Sequence, residues 1–256
     1  MAYPSDLTDE EWEIIEPIFT KAKKGKHLQK HNKRELVNGV LYIVKTGCQW
    51  EFLPKDYPPY KTVNSFYVRA KKNGLWEEMM DMLVQKTRVK AGRNIEPSYS
   101  LIDSQSAKTT SASQERGFDG GKNTKGRKRH IVTDTMGNLL SIVVHAANIH
   151  DTKSGILVFR KAMVKYPTIK GGMADMGYRK TFVEDVEREF NITIDISARI
   201  KHEFKLEAKR WVVERTLSWL NNSRRLSKDY EITVSSEEAF VMISHSRMLL
   251  KRLCCS

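Results

Sequence analysis

Three acidic residues, far apart in the chain, sit where chemistry can be done. Asp103 follows the apolar run Tyr99, Leu101, Ile102 and precedes Ser104, Gln105 and Ser106, so it lies on or just beyond a strand. Asp175 repeats the arrangement, after Gly172, Met173 and Ala174 and before Met176, Gly177 and Tyr178. In open α/β sheets ligands bind at the carboxyl ends of strands, so carboxylates delivered there from two strands can converge on one cation. The alternative use of an Asp at such a place is a helix cap or a turn. Glu214 stands in RWVVERTLSWLNNSRR, where Val213, Leu217 and Leu220 form one helical stripe and Arg210, Glu214, Ser218, Asn221 and Arg225 the adjacent one. An i, i+4 pair between Arg210 and Glu214 would contribute only ~0.3–0.5 kcal/mol on a solvated surface. That alternative leaves Trp211, Trp219, Arg224, Arg225 and Lys228 unexplained.

Other titratable groups read more simply as structural. His130 opens a strand within a basic run, and Asp151, after His150, reads as the N-cap of a helix through Leu157. Asp134 lies in the hairpin sequence Asp134, Thr135, Met136, Gly137, Asn138. For Tyr178, ordering a phosphate and packing remain equal alternatives.

The 256 residues carry 44 Lys and Arg against 31 Asp and Glu, a formal charge of +13. The surplus gathers in Lys21 to Lys30, Arg116 to Arg129 and Lys201 to Lys228. Such runs suit a polyanion, nucleic acid first, or else a solvated basic surface. Between Gly117 and Arg129, Gly120, Gly121 and Gly126 alternate with Lys122, Lys125, Arg127, Lys128 and Arg129. Glycines allow close backbone approach, and these cations would release counterions on meeting phosphates. The nucleotide-cradling pattern G-x-x-x-x-G-K-[ST] is absent, so no ATP site is expected. Cys48, Cys254 and Cys255 are too few for a disulfide framework and point to a reducing cytosol. No apolar run approaches the roughly 18 residues of a membrane span, and the acidic start does not resemble a signal peptide.

The elements that must position the acids follow from periodicity. Thr8 and Glu11 form a capping box before a first helix, a second runs from about Lys33 to Gly47, and Pro54, Pro58 and Pro59 enforce a loop. Thr62 to Lys72 and a helix holding Leu75, Met79, Met82 and Leu83, split by Gly74, suggest a helix-turn-helix with Lys71 and Lys72 toward DNA. From Ser98 the texture changes to short strands at Tyr99–Ile102, His130–Thr133, Leu139–His145, Gly171–Ala174 and Ile192–Ile196. Helices are expected over Thr152–Val164, Lys180–Phe190, Leu206–Leu226 and Ser236–Leu253, with a mobile loop at Ser111–Gly126. The chain is thus expected to hold an all-helical DNA-binding domain over 1–95 and an α/β domain over 96–256.

The phrases LIDSQSAK, GRKRHIVTDTMGN, HAANIHD, ADMGY and RWVVERTLSWLNNSRRLSKDYE, with TGCQWEFLP and FYVRAKKNGLWEEM upstream, resemble the bacterial DDE transposases of the insertion-sequence-five group, in order along nearly the whole chain. The resemblance implies a ribonuclease-H-like catalytic domain, a mixed sheet flanked by helices. It makes Asp103, Asp175 and Glu214 the catalytic, metal-holding triad and Arg210 the signature Arg four residues before the Glu. The family's Tyr three before that Arg and Lys seven after the Glu are here Glu207 and Asn221, which shifts the expected DNA contact to Arg224 or Arg225. Two Mg²⁺ ions are implied, with Mn²⁺ able to substitute, because hard carboxylate donors are present and no Cys or His cluster competes. The implied partners are double-stranded DNA, as terminal inverted repeats and target, and a second copy of the chain in a synaptic complex. The implied setting is the bacterial cytoplasm, at the nucleoid. A catalytically silent relative acting as a repressor, or a structure-selective nuclease, would share the fold.

Overall fold

The Thr8 N–H donates to Glu11 Oε2 at 2.9 Å and the Glu11 N–H to Thr8 Oγ1 at 3.1 Å, so the capping box is made as its residue types require. The structure, a computed structural model, describes residues 3–20, 30–197 and 210–254, and of Arg210 the backbone alone. Helix α1 (Asp9–Thr20) turns Trp12, Ile15, Ile18 and Phe19 inward. Helix α2 (Lys33–Thr46) ends where Gly47 adopts φ 70° and its N–H bonds the Ile43 carbonyl. α3 (Tyr60–Lys72) and α4 (Leu75–Lys90) follow, parted by Asn73 and Gly74. The exposed start of α4 carries Glu77 and Glu78, the wrong charge for a groove-reading helix start, whereas the end of α3 carries Arg69, Lys71 and Lys72.

The sheet holds β1 (Ser100–Lys108), β2 (Gly117–Asp119), β3 (Thr124–Thr133), β4 (Leu139–Ala146), β5 (Gly171–Ala174) and β6 (Thr193–Ile196). β3 pairs antiparallel with β1 along one edge and with β4 and β2 along the other, while β5 and β6 continue from β1 in parallel. β1 and β3 are longer than their apolar runs predict, and β2 occupies part of the expected mobile loop. Gly126 explains the extension: a Cβ there would stand 1.9 Å from the Ala107 carbonyl oxygen, so only glycine lets the polar ends of β1 and β3 close.

β3 alternates with period 2, and both faces are covered. Its even members, Lys128 and His130, meet α5 (Asp151–Lys165), which packs with α6 (Thr181–Phe190). Its odd members, Arg127 and Arg129, meet the chain that follows α7 (Arg210–Leu220) and begins α8 (Val234–Cys254). α8 also packs against α4 and α2, so the N-terminal helices and the sheet share one apolar core. The predicted helix Leu206–Leu226 is observed from Arg210 to Leu220; 206–209 lie outside the described residues, and a turn intervenes before a 3-10 segment at Arg224–Leu226.

Candidate active site

Asp103 lies on β1 and Asp175 immediately after β5. Because Ile102 and Ala174 are partners in the parallel ladder, the two carboxylates are delivered at neighbouring positions. The Ser104 N–H donates to Asp103 Oδ1 at 2.7 Å, and Asp175 Oδ1 accepts the Gly177 N–H at 2.9 Å, capping a 3-10 turn at Met176–Tyr178. α7 packs against β1 with Val212, Val213, Leu217 and Leu220 buried and Glu214 exposed. It is pinned to the β3–β4 hairpin, where the Thr216 hydroxyl donates to the Gly137 carbonyl at 2.9 Å and Arg215 Nη2 to the Met136 carbonyl at 3.1 Å. Trp211 and Trp219 clamp that Arg215 at 4.5 and 4.3 Å, which accounts for both tryptophans.

The electrostatics follow from this crowding. Burial first, then the charges of Asp175 and Glu214, against the Ser104 N–H and Lys122, push the Asp103 carboxyl up to about 7. Asp103 therefore feels the charge of both other acids. Among the described residues, no group of three or more His, Cys, Asp or Glu side chains stands close enough to hold a metal ion as it is. The donor chemistry nevertheless suits a hard divalent cation: all-oxygen ligands, mutual repulsion and no thiolate.

Several cations of the basic runs belong to the interior, which corrects the expectation that they meet phosphate. Arg127 is fully buried, with Nη1 2.9 Å from Asp229 Oδ2 and further bonds to the carbonyls of Gln114, Glu231 and Ile232. Arg129 pairs with buried Glu237 and donates to the Leu226 carbonyl at 2.9 Å. Arg225 pairs with Glu231 at 2.6 Å and reaches the Cys48 carbonyl at 3.2 Å. An isolated charge under cover is prohibitively costly, so the strand arginines Arg127 and Arg129 take partners from the distant 229–237 segment, invisible in their local run, and Arg225 takes Glu231 six residues on. Lys128 is buried against Asp151 at 3.0 Å and Asp119 at 3.7 Å. Lys71 donates to Ser236 Oγ at 2.8 Å, while Lys72, Lys125 and Arg224 are exposed. Glu207 and the Arg210 side chain lie outside the described residues, and Asn221 is exposed.

A second group of side chains escapes local sequence patterns. His150, rather than Asp151, caps α5. Asp151 instead accepts from Lys128 and from the Ser104 hydroxyl at 3.2 Å, and Lys122 Nζ donates to the Ser104 carbonyl at 3.0 Å. His130, held neutral by burial, shares hydrogen bonds with Tyr178 at 2.9 Å and Ser154 at 3.1 Å. These partners lie 18 to 48 positions apart, so no local spacing could reveal them.

Residues 95–249, more than half the chain, match the family described as transposase DDE domain, and residues 7–80 match that described as putative transposase of IS4/5 family. The chain belongs to the DDE transposases, and within them to the IS4/5 group. It is 32% identical over 127 residues to a putative transposase for insertion sequence element IS402 from Burkholderia cepacia, covering 46% of this chain and 60% of that one. It is 29% identical over 80 residues to the protein y4sN of Sinorhizobium fredii, covering 31% and 64%. The chain thus spans less than two thirds of either relative.

Proposed function

We propose that the chain is the transposase of an insertion sequence, binding the element's inverted repeats, cutting their phosphodiester bonds and joining the 3′-hydroxyl to target DNA. The observation that carries this reading is the delivery of Asp103, within β1, and Asp175, at the end of β5, at neighbouring positions of the parallel ladder, with the charge of Glu214 felt at Asp103. The strand order β4-β3-β1-β5-β6, antiparallel then parallel, supports a ribonuclease-H-like domain beyond residue 95, with the helices before it as the DNA-binding part.

Asp103, Asp175 and Glu214 would hold divalent magnesium, which when bound polarises the attacking and leaving oxygens of a phosphodiester. The residues divide the remaining work. Asp103 within β1 and Asp175 after β5 would form the floor of the site, and α7, seated on the β3–β4 hairpin, would bring Glu214 to it. Lys122, beside Asp103, and exposed Lys72, Lys125 and Arg224 supply positive charge along the approach for the DNA backbone. Cleavage at two element ends is served by a homodimer, and the substrate places the protein with the bacterial chromosome.

A supercoiled plasmid carrying the inverted repeats that flank the reading frame, incubated with the protein and Mg²⁺, should be cut at the repeats and yield joined products. Binding without any cutting would defeat the proposal in favour of a silent DNA binder, and cutting without joining would favour a nuclease.

A further inference from the structure

On the face of the sheet opposite α7, a chain of polar contacts connects Asp103 to the turn that Asp175 caps. It runs from Asp103 to Ser104, whose N–H holds Asp103 Oδ1 and whose hydroxyl donates to Asp151 Oδ1 at 3.2 Å. The same Oδ1 takes Lys128 Nζ at 3.0 Å and lies 3.4 Å from His130 Nε2. His130 Nδ1 pairs at 2.9 Å with the hydroxyl of Tyr178, which closes the 3-10 turn that Asp175 caps. The other oxygen of Asp151 faces that turn directly. A Cβ built on Gly177 would stand 3.4 Å from Asp151 Oδ2 and 3.0 Å from Asp175 Oδ1, so both acids crowd one glycine.

We infer that Asp151 is a positioning residue: it fixes the separation of Asp103 and Asp175 and thereby the affinity of that pair for a divalent cation. This rests on the metal-holding role proposed above for those two acids. Three features carry it. Asp151 touches both the β1 side, through Ser104, and the His130–Tyr178 side, through His130. Lys128 and Ser104 use one of its oxygens and leave the second toward Gly177, in the turn that Asp175 caps. His130 and Tyr178 are fully buried, so the circuit is a packed strut and not a solvated surface feature. Groups behind metal ligands commonly change metal affinity by 10–100-fold when removed.

Mn²⁺ binding to the full-length chain, followed by electron paramagnetic resonance without DNA, tests this. Asp151→Asn should weaken Mn²⁺ binding about 10–100-fold with unchanged stoichiometry, while DNA binding in EDTA stays at the wild-type level. Ser104→Ala should lower the affinity in the same direction, and the double variant should lose less than the two singles together, as members of one circuit do. Wild-type Mn²⁺ affinity in Asp151→Asn, or in a folded Ser104→Ala should Asp151→Asn fail to fold, would overturn the inference while leaving the metal site intact. Wild-type Mn²⁺ affinity in Asp103→Asn would instead remove the metal-site reading on which it depends.

Discussion

At the scale of single residues, charge state decides what the site can hold. Asp103 is pushed up to about 7, above the usual carboxylate range, so its folded value exceeds its unfolded one. Such a group costs the metal-free fold stability progressively as pH rises from about 4 to 7, and the full penalty stands above 7. Asp103→Asn should therefore raise the melting temperature in EDTA at pH 8 and leave it little changed at pH 4.5; equal shifts at both would refute the assignment. The same proton competes with the cation, so Mn²⁺ affinity should fall as pH drops from 8 to 6. Glu214→Gln removes a charge while keeping shape, and should retain repeat binding and lose cleavage. His245 has the opposite sign. Burial lowers it to about 3, and its Nε2 accepts the Leu139 N–H at 2.9 Å, which requires the neutral ring. Its contribution is complete above about 6.5 and is lost as pH falls toward 3, by up to about 1.4 kcal/mol per pH unit. His245→Gln, which can still accept that N–H, should flatten the acid limb of a stability–pH curve; an unchanged limb would assign acid sensitivity elsewhere.

At the scale of elements, β3 lies beside the strand of Asp103, with one face committed to α5 and the other to the stretch that follows α7 and begins α8. Its arginines are structural, and this separates two substitutions that sequence alone treats as equivalent. Arg127→Met strands Asp229 under cover and should cost about 3–5 kcal/mol of stability in denaturant titrations, with repeat affinity of the folded protein unchanged. Lys125→Ala, at an exposed position, should leave stability within about 0.5 kcal/mol and reduce the salt dependence of DNA binding by about one counterion. The reverse pattern would return the DNA contact to the buried arginines.

At the scale of the whole molecule, the helical N-terminal part and the sheet are coupled. Arg88 of α4 binds Asp134 of the β3–β4 hairpin at 2.5 Å, both side chains buried, and α8 packs against α4 and the sheet together. Thermal unfolding should accordingly be a single cooperative transition by both calorimetry and circular dichroism; two resolved transitions would show independent domains. Much of this architecture was legible in the residues. The capping box, the Gly47 stop, the five strand cores and the Asp134 hairpin all rest on contacts within a few positions, and periodicity reports those directly. The placement of Asp103 on a strand and of Asp175 just after one was legible for the same reason; that β1 runs on past Asp103 to Lys108 was not. The adjacency of the two acids was expected only from the general rule for open α/β sheets and from the family resemblance, not from any local spacing, because it needs β1 and β5 to pair across some seventy residues. The fate of Arg127, Arg129 and Arg225 was equally hidden: a basic run looks alike in sequence whether it meets solvent or is neutralised by Asp229, Glu231 and Glu237. Local sequence determines which backbone form a segment takes, since hydrogen bonding and side-chain spacing act over one turn or one pleat. Which charges are buried, and which carboxylates meet, is decided only when distant segments displace water from one another, a condition that exists in the tertiary structure alone.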